Sequence, residues 1–168
     1  MSAAAREFPW VESIAVTRRW PRALGVRVVE ATPVAVAAFG DQAVLISAAG
    51  RVLGVKDGVG GLGWMKLPEA PPAAGGALPA GARAELAFIA AAEPRVAKRI
   101  RALRPTADGR IVGRLTAGPE LRLGAPERME AKAQALGLLL ASLSAQEEST
   151  ASYIDLTVPE NPALGPAE

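Results

Sequence analysis

Few side chains in this sequence are able to carry covalent or metal chemistry. Its 168 residues include no histidine and no cysteine. That excludes a Ser-His-Asp triad, a thiol nucleophile, a histidine-based metal site and any disulfide framework. Three groups of residues remain to be weighed. Glu147, Glu148 and Asp155 are the carboxylates a hydrolase would pair for acid–base work, but without partners they read as solvated charges. Gly58-Val59-Gly60-Gly61-Leu62-Gly63 has the glycine density of a phosphate cradle. No helix opens directly after it and no Lys-Ser or Lys-Thr pair follows, so it reads as a plain flexible loop. Arg95, Lys98, Arg99, Arg101 and Arg104 place five cations in ten residues with no acid among them. Such a segment suits phosphate, an anionic lipid surface or an acidic partner. It lacks interleaved aromatics to stack bases, and it reads as a solvated outer face with Val96, Ile100 and Leu103 turned inward. No catalytic, cofactor or metal set is expected. An anion- or membrane-surface-binding module built on residues 95–104 stays open as the alternative reading.

The charge distribution sharpens this. Net charge is +2, yet all 19 Lys and Arg lie within residues 1–132, while residues 133–168 carry five acids and no base. The basic excess is too small and too dispersed to argue for nucleic acid. No run of 18 apolar residues exists to span a bilayer, and Met1–Arg6 lacks the basic-then-apolar order of a signal peptide. Half the residues are hydrophobic but only 4% are aromatic, so Ala, Val and Leu must fill the core.

The elements that would position these groups follow from periodicity. Residues 11–18 alternate as a strand, Trp20-Pro21 breaks it, and residues 25–30 return as the second arm of a hairpin-like pair ended by Pro33. Three short strands follow at 34–39, 43–47 and 51–55. Between Gly54 and Gly81, 12 of 28 residues are Gly or Pro, which predicts a long surface loop with Trp64-Met65-Lys66-Leu67-Pro68 docked on the body. A helix is expected over 83–92 and strands over 110–116 and 120–123. Met129, Ala133, Leu136, Leu140 and Leu143 recur every three or four residues, so a helix is expected over 126–143. Tyr153 to Val158 alternates as a last strand, with Ile154, Leu156 and Val158 toward the core and Tyr153, Asp155 and Thr157 outward. Residues 159–168 read as a disordered tail. Trp10 and Trp20 are expected in core or junction packing. Together these elements predict an α+β fold: a mixed, mainly antiparallel sheet with a long C-terminal helix packed on it.

The order of these signals resembles one family. Phe8-Pro9-Trp10-Val11-Glu12-Ser13-Ile14-Ala15-Val16-Thr17-Arg18-Arg19-Trp20-Pro21, then Val26-Arg27-Val28-Val29-Glu30-Ala31-Thr32-Pro33, looks like the passage from the POTRA domain to the β domain of cell-division protein FtsQ (DivIB). Leu45 to Leu53 is similar to a family strand-turn-strand. Leu121-Arg122-Leu123-Gly124 followed by Glu130-Ala131-Lys132 resembles its last sheet-to-helix step, and Ser152 to Pro159 its last strand. The Ala- and Arg-rich composition is similar to that of actinobacterial members. The resemblance implies a POTRA remnant at 1–32, a β domain at 33–158 and the tail at 159–168. Family members begin with a cytoplasmic tail, one transmembrane helix and the first half of the POTRA domain, so a truncated chain or a misplaced start is expected. The implied role is a non-catalytic divisome scaffold at the extracytoplasmic face of the membrane at the septum. It would bind small bitopic proteins of the FtsB and FtsL type and restrain septal cell-wall synthesis. The implied partner contact is strand addition along Tyr153, Ile154, Asp155, Leu156, Thr157 and Val158.

Overall fold

A computed structural model describes residues 8–58, 60–116 and 118–166. Strands β1 (Val11–Arg19) and β2 (Ala23–Glu30) pair antiparallel as a separate ribbon. The register sets Ile14 opposite Val28 and Val16 opposite Val26, so these four share one face. That face stays 45–60% exposed. Trp10 and Trp20, expected in packing, are also exposed, because a two-stranded ribbon has no second layer to bury them. Trp20 stands at the tip beneath the Arg18 guanidinium, 4.9 Å from its ring centroid.

Beyond Ala31 and Thr32 the chain builds a nine-stranded sheet. Its strands are β3 (Pro33–Phe39), β4 (Gln42–Ser47), β5 (Val52–Val55), β6 (Gly63–Lys66), β7 (Ile100–Pro105), β8 (Ile111–Leu115), β9 (Glu120–Gly124), β10 (Ala151–Asp155) and β11 (Ala163–Pro166). The spatial order is β11-β10-β9-β8-β7-β6-β3-β4-β5. β3–β6, β6–β7 and β9–β10 are parallel and the other neighbours antiparallel, so the sheet is mixed and mainly antiparallel. Each parallel step after β6 needs a crossover. Helices α1 (Arg83–Ala91) and α2 (Pro94–Ala97) carry β6 to β7, and α3 (Met129–Ser142) and α4 (Ala145–Thr150) carry β9 to β10. The core forms beneath the two crossovers from Phe88, Ile89, Met65, Ile100, Leu103, Leu121, Leu123, Leu136, Ile154 and Leu156, all essentially inaccessible.

Further expectations are corrected. Trp64 to Lys66 is not a docked piece of a surface loop but β6, near the middle of the sheet, with Met65 fully buried opposite Leu103. Gly63 permits this: a Cβ there would lie 2.8 Å from Ile89 Cγ2 and 2.9 Å from the Ala97 carbonyl. The long helix expected over 126–143 starts at Met129 and has α1 as its main neighbour, and α4 follows it. Residues 145–150, which have no apolar period, form α4 because Ser144 and Glu147 close a capping box. At the far end, the alternation over 153–158 stops as a strand at Asp155, and the tail returns as β11.

Candidate functional site

The β9–β10–β11 end of the sheet gathers the residues expected to bind a partner. β9 supplies the template: Leu121 and Leu123 point into the core while Glu120 and Arg122 face out, the Arg122 Nε donating to Glu120 Oε1 at 3.2 Å. β10 lies parallel to it, with Tyr153 opposite Glu120, Ile154 opposite Leu121 and Asp155 opposite Arg122. The Leu156 N–H extends this ladder by donating to the Arg122 carbonyl at 2.8 Å. Asp155 then ends the strand, its Oδ1 accepting the Thr157 N–H at 2.8 Å. This is an Asx turn, which gives the backbone a local partner in place of the ladder.

The six expected contact residues therefore divide. Ile154 and Leu156 are fully buried, as their alternation predicts. Val158, expected beside them, is 54% exposed, because the Asx turn breaks the period before it. Tyr153 and Asp155 are half-buried and Thr157 is exposed.

The outer edge of β10 is occupied by the chain's own β11, antiparallel, with Tyr153 opposite Gly165, Ile154 opposite Leu164 and Asp155 opposite Ala163. The Tyr153 ring lies over Gly165, where any Cβ would collide with it. The Arg122 guanidinium covers the ring, 3.7 Å from its centroid. Arg122, Tyr153 and Gly165 thus stack across three strands: a cation on an aromatic, and an aromatic shielding a bare backbone. Among the described residues, the free edge of this end is β11. Gly165 and Arg122 were missed from sequence. The only available signal was the return of apolar spacing at Ala163-Leu164 after a Pro-containing turn.

Buried and paired charges hold the site. Lys132, 3% exposed, donates from Nζ to the carbonyls of Leu123 at 2.6 Å and Ala125 at 2.7 Å, tying α3 to the end of β9. Burial lowers its pKa. Arg128 and Glu160 form an ion pair that fastens the β10–β11 connection to the start of α3. Arg99 pairs with Glu148 on α4.

The carboxylates considered for hydrolysis do not converge. Glu147 serves the capping box, and its hydrogen bond to Ser144 holds its pKa below the usual carboxylate value. Glu148 binds Arg99, and Asp155 caps Thr157. Among the described residues, no cluster of three or more acidic side chains is placed to hold a metal.

The basic segment splits as well. Arg95 pairs with Glu93 at 2.7 Å, Arg99 with Glu148, and Arg101 donates to Thr116 at 2.9 Å while lying 5.7 Å from the Trp64 ring centroid. Lys98 and Arg104 are exposed, and Val96, Ile100 and Leu103 turn inward. Among the described residues, no helix is long and apolar enough to cross a membrane.

Compared with family models, the chain matches the C-terminal domain of cell division protein FtsQ/DivIB over residues 35–157, from within β3 to just past β10. No curated protein matches it significantly.

Proposed function

Because the chain belongs to the FtsQ/DivIB family of cell-division proteins, we propose that it is a non-catalytic divisome scaffold that captures a strand of an FtsB- or FtsL-type partner at the β9–β10–β11 end of its sheet. In this reading the protein works at the extracytoplasmic face of the membrane at the septum and helps regulate septal peptidoglycan synthesis. Residues 1–32, which include the ribbon, are the C-terminal part of a POTRA domain. The observation that carries the proposal is the free outer edge of β11, a short strand laid on β10 and backed by Tyr153. Strand addition draws affinity from such an edge and specificity from the side chains beside it. Because β11 covers β10, the backbone contact moves outward from the expected 153–158 segment to 163–166. Tyr153, Asp155 and Thr157 then contribute from the exposed face, while the buried Ile154 and Leu156 only support it.

The test is the affinity of a purified extracytoplasmic FtsB-type segment for the wild type and for Tyr153→Ala. We expect binding to weaken by about 2 kcal/mol, on the order of thirtyfold, with the fold intact, since interface tyrosines combine large area with few rotors. Unchanged affinity in the folded variant would move the partner to another surface.

A further inference from the structure

A cleft unrelated to that sheet edge lies on the body where the end of β6, the turn before α1, the end of β7, the start of β8 and the approach to α3 meet. Its volume is about 300 Å³, and its walls include Pro68, Pro79, Pro105, Pro126 and Ile111, with Lys66 at the rim. Glu85, in the first turn of α1, lines this cleft while being only 1% exposed. Its Oε2 is the one buried side-chain oxygen or nitrogen among the described residues with no hydrogen-bond partner.

An orphaned carboxylate oxygen in a native interior requires an explanation, because over nine-tenths of buried polar groups find a partner. The walls supply none. Four of the ten lining residues are prolines, which have no backbone N–H, and none of the others bonds this oxygen. Among the described residues, Lys66 makes no ion pair with Glu85. The groups acting on Glu85 are its apolar surroundings, which raise its pKa, and its own backbone, which opposes this; no neighbouring cation contributes. A donor brought from outside the walls would satisfy it.

A ligand that fits must bring an N–H donor to the floor of an apolar cleft, with an apolar stem against prolines that offer no polar contact. An aliphatic side chain ending in a cation has that form, its methylenes buried and its charge at the tip. We propose that this cleft is a binding site for a lysine or arginine side chain of a partner segment, with the Glu85 carboxylate receiving the cation. It shares no residue with the β9–β10–β11 end, so it serves as a second point of attachment independent of strand addition.

The experiment titrates the whole chain with N-acetyl-lysine N-methylamide and, separately, with the norleucine counterpart, which has the same stem without the ammonium. Binding is followed by the amide signals of Ala82 and Ile111 and by the side-chain carboxyl signal of Glu85. Saturable binding of the lysine probe at least tenfold tighter than norleucine, with the preference abolished in Glu85→Gln, is the expected result. Equal binding of the two probes to the wild type, or no binding of either, overturns the proposal without requiring any variant to fold. So does a Glu85 carboxyl signal that shifts on Lys66→Met alone, because the chain's own lysine would then be the donor. Affinity for a strand-adding partner is measured on other residues, so either proposal can fail while the other stands.

Discussion

The ribbon and the sheet are both rich in valine and alanine and are joined through Ala31 and Thr32, yet one is exposed and the other buried. Val26 and Val28 in β2 are 57% and 46% exposed, whereas Ala35, Val36 and Ala37 in β3, a few residues on, are inaccessible. The two regions have similar strand propensity and both are antiparallel at this point. What differs is the second layer. The sheet carries α1 and α3 over one face, while the ribbon meets the body at its base, where Val11 is buried and its carbonyl accepts from Arg51 Nη1 at 3.1 Å. The lesson is that β-forming residues fix local conformation, but stability needs a layer to bury them against.

The comparison breaks most readily from the buried side. Leu156→Asp puts an unpaired charge where the side chain is inaccessible. We expect a loss of about 4 kcal/mol or more, a large share of a normal domain's stability, and a chain unfolded at 37 °C by circular dichroism. A pair of identical changes sharpens the contrast: Val36→Ala should cost about 2 kcal/mol in chemical denaturation and Val26→Ala less than about 0.5. Equal costs would show that the ribbon buries its valines against something in solution.

Glu85 tests the body from within. Its pKa is raised in the fold by burial, so the folded state holds the proton more tightly than the unfolded chain. Stability attached to that proton is full below the unfolded value of 4.5 and is lost as pH rises through the higher folded value. Glu85→Gln should therefore melt higher than wild type at pH 7, by about 1–2 kcal/mol in the absence of ligand. The advantage should vanish below the unfolded value; a gain that persists there would separate it from ionisation. The most local effect is expected at the sheet's end. Gly165→Ala forces Tyr153 off β11, and global stability should change by less than about 1 kcal/mol because the strand is terminal. Amide exchange at residues 163–165 should nevertheless speed up at least tenfold.

Much of the body was legible because its signals are periodic. Ile154 and Leu156 alternate inward as read, and the α1 and α3 helices lie within a few residues of their expected spans. The failures have physical causes. β6 is four residues long between glycine-rich segments, and its place is fixed by the parallel neighbours β3 and β7, which no local pattern reveals. α4 carried a readable signature in Ser144 and Glu147, but the helix shows no buried face: all six of its residues lie at the surface or only partly covered. β11 contains Gly165 and Pro166, both poor strand formers, and becomes a strand because Tyr153 covers the glycine. The proposed strand-addition site therefore lies one strand outside the 153–158 segment read from the sequence. The Glu85 cleft was not legible at all, since its prolines come from segments distant in sequence.

The parallel pairing of β9 with β10 carries a kinetic consequence. Tyr153 sits opposite Glu120, so this contact closes only after the intervening chain, with α3 and α4, has crossed the sheet. Contacts of such long sequence separation are slow to form. Until they do, β9 is itself a bare edge, available to any extended chain nearby. Its outward residues, Glu120 and Arg122, are oppositely charged, the type of side chain that discourages indiscriminate pairing. Arg122, which later stacks on Tyr153, would guard the half-built sheet before it braces the finished one.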